Sequence, residues 1–189
     1  MGNTIYVVRH GQTDWNKQDR FQGKTDIPLN ATGRKQAEAT SEDLHDVLFD
    51  AVYCSPLVRA RETCEIILKG NKFFGGPTFP QAPLFDNRIM ERDFGDMEGK
   101  DCKEYPADYP WWNVKNEMAL PHGETIAQIR DRVTDFWNDL ERRHKNQTIL
   151  VVAHGGVLRI LHFLHNPAPA NGDLYSYVAG NASVMMYKD

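Results

Sequence analysis

An α/β sandwich with a mostly parallel central sheet is the fold class this 189-residue chain predicts. Two observations carry it: short apolar runs with no polar alternation, and stretches of helical period lying between them. The first run is Ile5 to Val8, the second Ala51 to Cys54, the third Ile149 to Ala153. None alternates polar with apolar, so both faces of each strand are covered, as in a parallel sheet. Ser183 to Tyr187 is a fourth candidate. The helices follow in order. Thr32 serves as an N-cap, after which Ala37, Leu44, Val47 and Leu48 fall on one face. Pro56 opens a second helix whose stripe is Leu57, Ala60, Cys64, Ile67 and Leu68. A third begins near Glu124 and carries Ile126, Ile129, Val133, Phe136, Trp137 and Leu140. The last follows Gly155-Gly156. Strands alternating with helices stack into three layers, α/β/α. From Gly70 to about Pro121 the period fades, prolines concentrate and Trp111-Trp112 appears; this reads as loops plus a small cap, at about 85–120, inserted between strands. The whole of 1–189 is expected to form a single domain.

Composition narrows the function. Hydrophobic content of 41% and charged content of 25% fit a globular protein in water. A net charge of −4 argues against nucleic acid as a partner. No stretch approaches the roughly 20 apolar residues of a membrane span. The three cysteines, Cys54, Cys64 and Cys102, show no metal spacing and read as reduced thiols of a cytoplasmic protein, and no signal peptide is expected.

The chemistry gathers at strand ends. His10 directly follows the first strand and His154 the late one, and each is followed by glycine. In an open α/β sheet, ligands bind beyond the carboxyl ends of the strands. Gly11 and Gly155 would let backbone N–H groups approach an anion, and the helix after Gly155 adds its positive end. Arg9 adjoins His10, and Arg59 lies about one turn after the strand Ala51 to Cys54. Guanidinium forks suit phosphate oxygens, and their field would keep a neighbouring imidazole neutral and free to attack phosphorus. Each position alone is weak, since Arg-His-Gly is a tripeptide and Arg59 could be a solvated helix charge. The signal is their coincidence on one rim. A metal site from His10, His122 and His154 is disfavoured because no short ligand pair is present. Trp111-Trp112 could contact substrate or simply pack the cap.

In order along the chain stand Arg9-His10-Gly11 with Asn16, Phe21-Gln22-Gly23 and Asp26; Ser55-Pro56-Leu57 with Arg59; Glu91 with Phe94-Gly95 and Glu98-Gly99; Gly123-Glu124-Thr125; and His154-Gly155-Gly156. This series resembles the histidine phosphatase superfamily, of phosphoglycerate-mutase-like fold, from about residue 4 to the C-terminus. The resemblance implies phosphomonoester hydrolysis through a phosphohistidine on His10, with Arg9, Arg59 and His154 around the phosphoryl group. It implies Glu91 as the proton donor, although Glu98, Asp93 and Asp96 stand close in sequence. Asn16, Gln22, Gly23 and the Gly155 amide would be further contacts to a small phosphorylated substrate. No cofactor is implied, because arginines and histidines neutralise the phosphate. Phosphoglycerate mutase action is the runner-up. Family mutases carry a longer segment between the Glu91 block and Gly-Glu-Thr, whereas here that interval is short, with Lys100, Lys103 and Lys115. A non-catalytic phospholigand-binding protein is the reading from another class.

Overall fold

The computed structural model describes residues 2–80, 82–105, 109–115 and 120–188, so 106–108 and 116–119 of the expected cap lie outside the described residues. β1 (Thr4–Arg9) pairs in parallel with β4 (Thr148–Ala153), and antiparallel with β5 (Val184–Lys188) on its other side. β2 (Ala51–Cys54) runs parallel to β4 and to the two-residue β3 (Leu84–Phe85). The resulting sheet has the order β3-β2-β4-β1-β5 and is parallel except at β5. Register aligns Arg9 with Ala153 and Cys54 with Val152, so β1, β2 and β4 end on a common rim.

Why the strands lack polar alternation is visible in the packing. Ile5, Val7, Ile149 and Val151 face one layer of core, while Val8, Leu150, Val152 and Cys54 face another. The first layer is closed by α4 (Ile126–Arg143) and α5 (Gly155–His165), through Ile129, Val133, Phe136, Leu158 and Leu161. The second is closed by α3 (Val58–Gly70), which also packs on α2 (Ala31–Asp43), with Leu44, Ala60, Cys64 and Ile67 inside. A short α1 (Asp14–Lys17) follows β1.

Two helix starts differ from the sequence reading. The N-cap of α2 is Asn30, not Thr32: the Asn30 side chain accepts from the Gly33 N–H at 2.8 Å, which starts the helix two residues earlier. α3 begins at Val58, not at Pro56, and its Val58 N–H donates to Asp26 at 2.6 Å. At α4 Thr125 and Gln128 form a reciprocal capping box. Between β3 and α4 the described chain forms single 3-10 turns at Asn87–Ile89, Gly95–Met97 and Cys102–Glu104. Phe94, Met97 and Trp112 from this segment are buried in the core layer beneath α4 and α5. Among the described residues no helix is long and apolar enough to cross a membrane.

Candidate active site

His10 leaves the end of β1 with its backbone held on both sides: its N–H donates to Ala153, and its carbonyl accepts from Ala182 at 3.1 Å. The ring is 2% exposed. Nδ1 lies 2.7 Å from the Gly11 carbonyl. A carbonyl only accepts, so Nδ1 carries the proton and Nε2 keeps its lone pair. Burial, reinforced by the charges of Arg59 and Arg9, holds the His10 pKa well below the usual histidine value, so the ring is neutral at pH 7. His154, the N-cap of α5, packs against His10 with ring centroids 5.2 Å apart. It too is kept neutral, first by burial and then by Arg59. Its Nε2 meets the Ser55 hydroxyl at 2.7 Å, and its Nδ1 is buried without a partner among the described residues.

The two arginines reach this place from different elements. Arg9 donates through Nη1 to the Ala179 carbonyl, while its Nε is buried and unpaired among the described residues. Arg59, on the first turn of α3, is fully buried. Its terminal nitrogens donate to the carbonyls of Thr25 at 2.9 Å and Gly23 at 2.6 Å, leaving Nε without a partner among the described residues. Burial pulls the Arg59 pKa down to about 10, which still leaves it charged at neutral pH. Both therefore brace backbone while keeping a donor in reserve beside His10.

Of the four acidic candidates, only Glu91 lines the cavity. Its carboxylate accepts from the Gly156 N–H at 3.1 Å and from the Arg92 N–H at 2.8 Å. A Cβ on Gly156 would stand 2.2 Å from Glu91 Oε1, so only glycine permits this contact. Glu98 is occupied elsewhere, accepting from the Lys24 and Thr25 N–H groups at 2.8 and 2.9 Å. With Arg59 on the carbonyls and Glu98 on the amides, the loop around Gly23 is gripped from both sides. Asp93 pairs with Lys24, and Asp96 with the exposed His122, so His122 stands apart from His10 and His154.

The cavity holds about 610 Å³ and opens over the rim. Arg9, His10, Arg59, Asn16, Gln22 and Gly23 line it, as does Gly155. His154 does not; it backs His10 from within the core. Gly11 does not reach the cavity either, which corrects its reading as an anion donor. Its N–H is taken by Thr63 at 3.0 Å, and its missing Cβ makes room for the Gly33 carbonyl, 2.3 Å from where that atom would stand. Trp111 and Trp112 both pack and line. Trp111 joins Phe21 and Tyr109, with ring centroids 4.6 and 4.3 Å away. Several lining residues had no place in the sequence reading, Arg20, Tyr175 and Asp173 among them; the one that is both charged and buried is Arg159 on α5. Its spacing of three from Gly156 was the available signal, since both fall on one helix face.

Comparison with known proteins gives the chain's family. The family model of the histidine phosphatase superfamily (branch 1) matches residues 5–188. The uncharacterized phosphatase PhoE of Bacillus subtilis is 39% identical over 157 residues, 83% of this chain and 74% of that one. A metal-independent phosphoserine phosphatase of Arabidopsis thaliana is 34% identical over 187 residues, 95% of this chain and 74% of its own. Among solved structures, a phosphoserine phosphatase variant from Entamoeba histolytica in complex with phosphoserine superposes with a TM-score of 0.78. It is 26% identical, over 97% of this chain and 89% of that one. Relatives named phosphoglycerate mutase match too, one from Rhizobium meliloti at 31% identity over 85% of this chain and 78% of its own.

Proposed function

Because the chain belongs to the histidine phosphatase superfamily, branch 1, we propose that it hydrolyses small phosphorylated metabolites through a phosphohistidine on His10. The observation that carries this reading is the bond between His10 Nδ1 and the Gly11 carbonyl, which leaves Nε2 unprotonated on a ring that burial keeps neutral. In the first step Nε2 attacks phosphorus and the P–O bond to the alcohol breaks, while Glu91 gives its proton to the departing oxygen. In the second, water attacks the phosphohistidine, the P–N bond breaks, and Glu91 takes the proton back. Arg9 and Arg59 stabilise the charge on the transferring oxygens, and His154 supports the nucleophile from behind, its ring packed against that of His10. Asn16, Gln22, Gly23 and the Gly155 amide complete the contacts.

Phosphate release from a chromogenic aryl phosphate and a panel of alkyl phosphates, in excess chelator, tests the proposal. His10→Ala should abolish release and any labelling of the protein by phosphate. Glu91→Gln should slow alkyl phosphates by about 10²-fold or more, and aryl phosphates much less, because a phenolate leaves without a proton. Equal losses on both would remove Glu91 from the acid role. Mutase action is the second reading, supported by the relatives of that name; interconversion of phosphoglycerate isomers without phosphate release would establish it. A phosphoserine-bound neighbour supports a small phosphorylated substrate. A reducing, cytoplasmic setting belongs to the same proposal, supported by Cys54, Cys64 and Cys102 being free thiols.

A further inference from the structure

The cavity contains a buried cation that the chemistry at His10 leaves unused. Arg159 is 6% exposed. Its Nε donates to the Tyr177 carbonyl at 2.9 Å, and its guanidinium lies over the rings of Trp112 and Tyr175, 4.6 and 4.8 Å from their centroids. A guanidinium packed against two rings and tethered at one nitrogen has little freedom to turn. Its terminal nitrogens carry no hydrogen bond or ion pair among the described residues. A charge withdrawn from water and left unpaired is expensive unless an anion completes it.

Its position says which part of a substrate it would meet. Gly156 holds the Glu91 carboxylate, and Arg159 stands one helical turn further along the same face of α5. After burial, the charge that acts most on Arg159 is that of Glu91, so Arg159 stands near the group proposed to protonate the departing alcohol. Another cavity arginine, Arg20, is committed to Gln18 and the Gly99 carbonyl. One planar fork matches a carboxylate. A second phosphate would bring two charges beside Glu91 and Asp173, which also line the cavity.

We propose that Arg159 forms a second anion subsite that binds a carboxylate on the leaving alcohol, making the preferred substrates short phosphomonoesters that bear a carboxylate. This rests on the phosphatase reading above. The test compares O-phosphoserine with its methyl ester, which keeps the skeleton and amine but removes the charge. On the wild type, kcat/KM should favour the acid by about 10- to 100-fold. Arg159→Met should bring that ratio to within about twofold, and Arg159→Lys should keep part of it. Equal turnover of acid and ester by the wild type overturns the subsite without any variant having to fold. A Met variant that loses both substrates alike, ratio intact, also overturns it and makes Arg159 a packing residue. If the wild type releases phosphate from nothing, the phosphatase reading fails. Titration calorimetry on the same protein then decides the subsite separately: tighter binding of the acid supports it, and equal binding overturns it.

Discussion

At the scale of single residues, the site depends on groups being held rather than merely present. Gly156 is the sharpest case, because an added methyl would collide with both the Glu91 carboxylate and the Trp112 ring, 2.2 and 2.7 Å from its position. Gly156→Ala is therefore expected to displace Glu91 and lower kcat on alkyl phosphates by about 10²-fold, with a smaller loss on aryl phosphates. Steady-state kinetics on the two substrate types checks this, and similar losses on both would show that the methyl disturbs more than the acid. His10, Arg9 and His154 were legible in the sequence because a residue that ends a strand has its location set by that strand alone. Arg59 was legible as the first turn after another. Arg159 was not, since its surroundings are Trp112 and Tyr175, brought from either side by the fold. Gly11 misled for the same reason: its neighbour Gly33 is distant in sequence.

At the scale of elements, α4 does more than cover the sheet. It projects Arg132 onto the turn that carries Glu91, where Nη1 donates to the carbonyls of Arg88 and Met90 at 2.6 and 2.7 Å and Nη2 to that of Glu91 at 3.0 Å. The same side chain pairs with both oxygens of Glu124, at 2.6 and 2.8 Å. Arg132→Met would leave these partly buried acceptors without their donor, a loss of about 3–5 kcal/mol. That corresponds to a melting temperature roughly 10 °C lower. Arg132→Lys should restore little, because an ammonium cannot span five acceptors as a fork does. Differential scanning calorimetry measures both; a shift under about 2 °C for the Met variant would mean that the turn is held by other contacts. The strands and long helices were readable because their periods are local. The turns between β3 and α4 were not: each is a single 3-10 turn placed by backbone contacts from elsewhere, such as Phe21 N–H to Lys100 and Cys102 N–H to Asp19. Helix starts fell between, since Asn30 and Thr32 are both competent caps and the Gly33 N–H selects the first.

At the scale of the whole molecule, two neutral imidazoles inside the core tie stability to pH. The pKa values of His10 and His154 are both lowered in the folded chain, chiefly by burial, whereas an unfolded chain takes up protons at about 6.5. Below that pH the unfolded state binds more protons than the folded one, so stability falls as pH falls, and continues to fall until the folded pKa is reached. The slope is at most about 1.4 kcal/mol per pH unit for each ring. Melting curves should therefore be level from pH 8 to 7 and drop from 6.5 to 5, above the range where ordinary carboxylates titrate. An unchanged melting temperature across that interval would show that the rings gain protons in place. The sheet order has a further consequence. β1 lies between β4 and β5, and the His10 carbonyl is capped by Ala182, so β1 waits for partners that are synthesised well after it. A growing chain on the ribosome would hold β1 unpaired until residues 148–188 have emerged. The nascent protein should thus assemble its candidate site in one event, after residues 148–188 have emerged, and be exposed until then to chaperones and proteases.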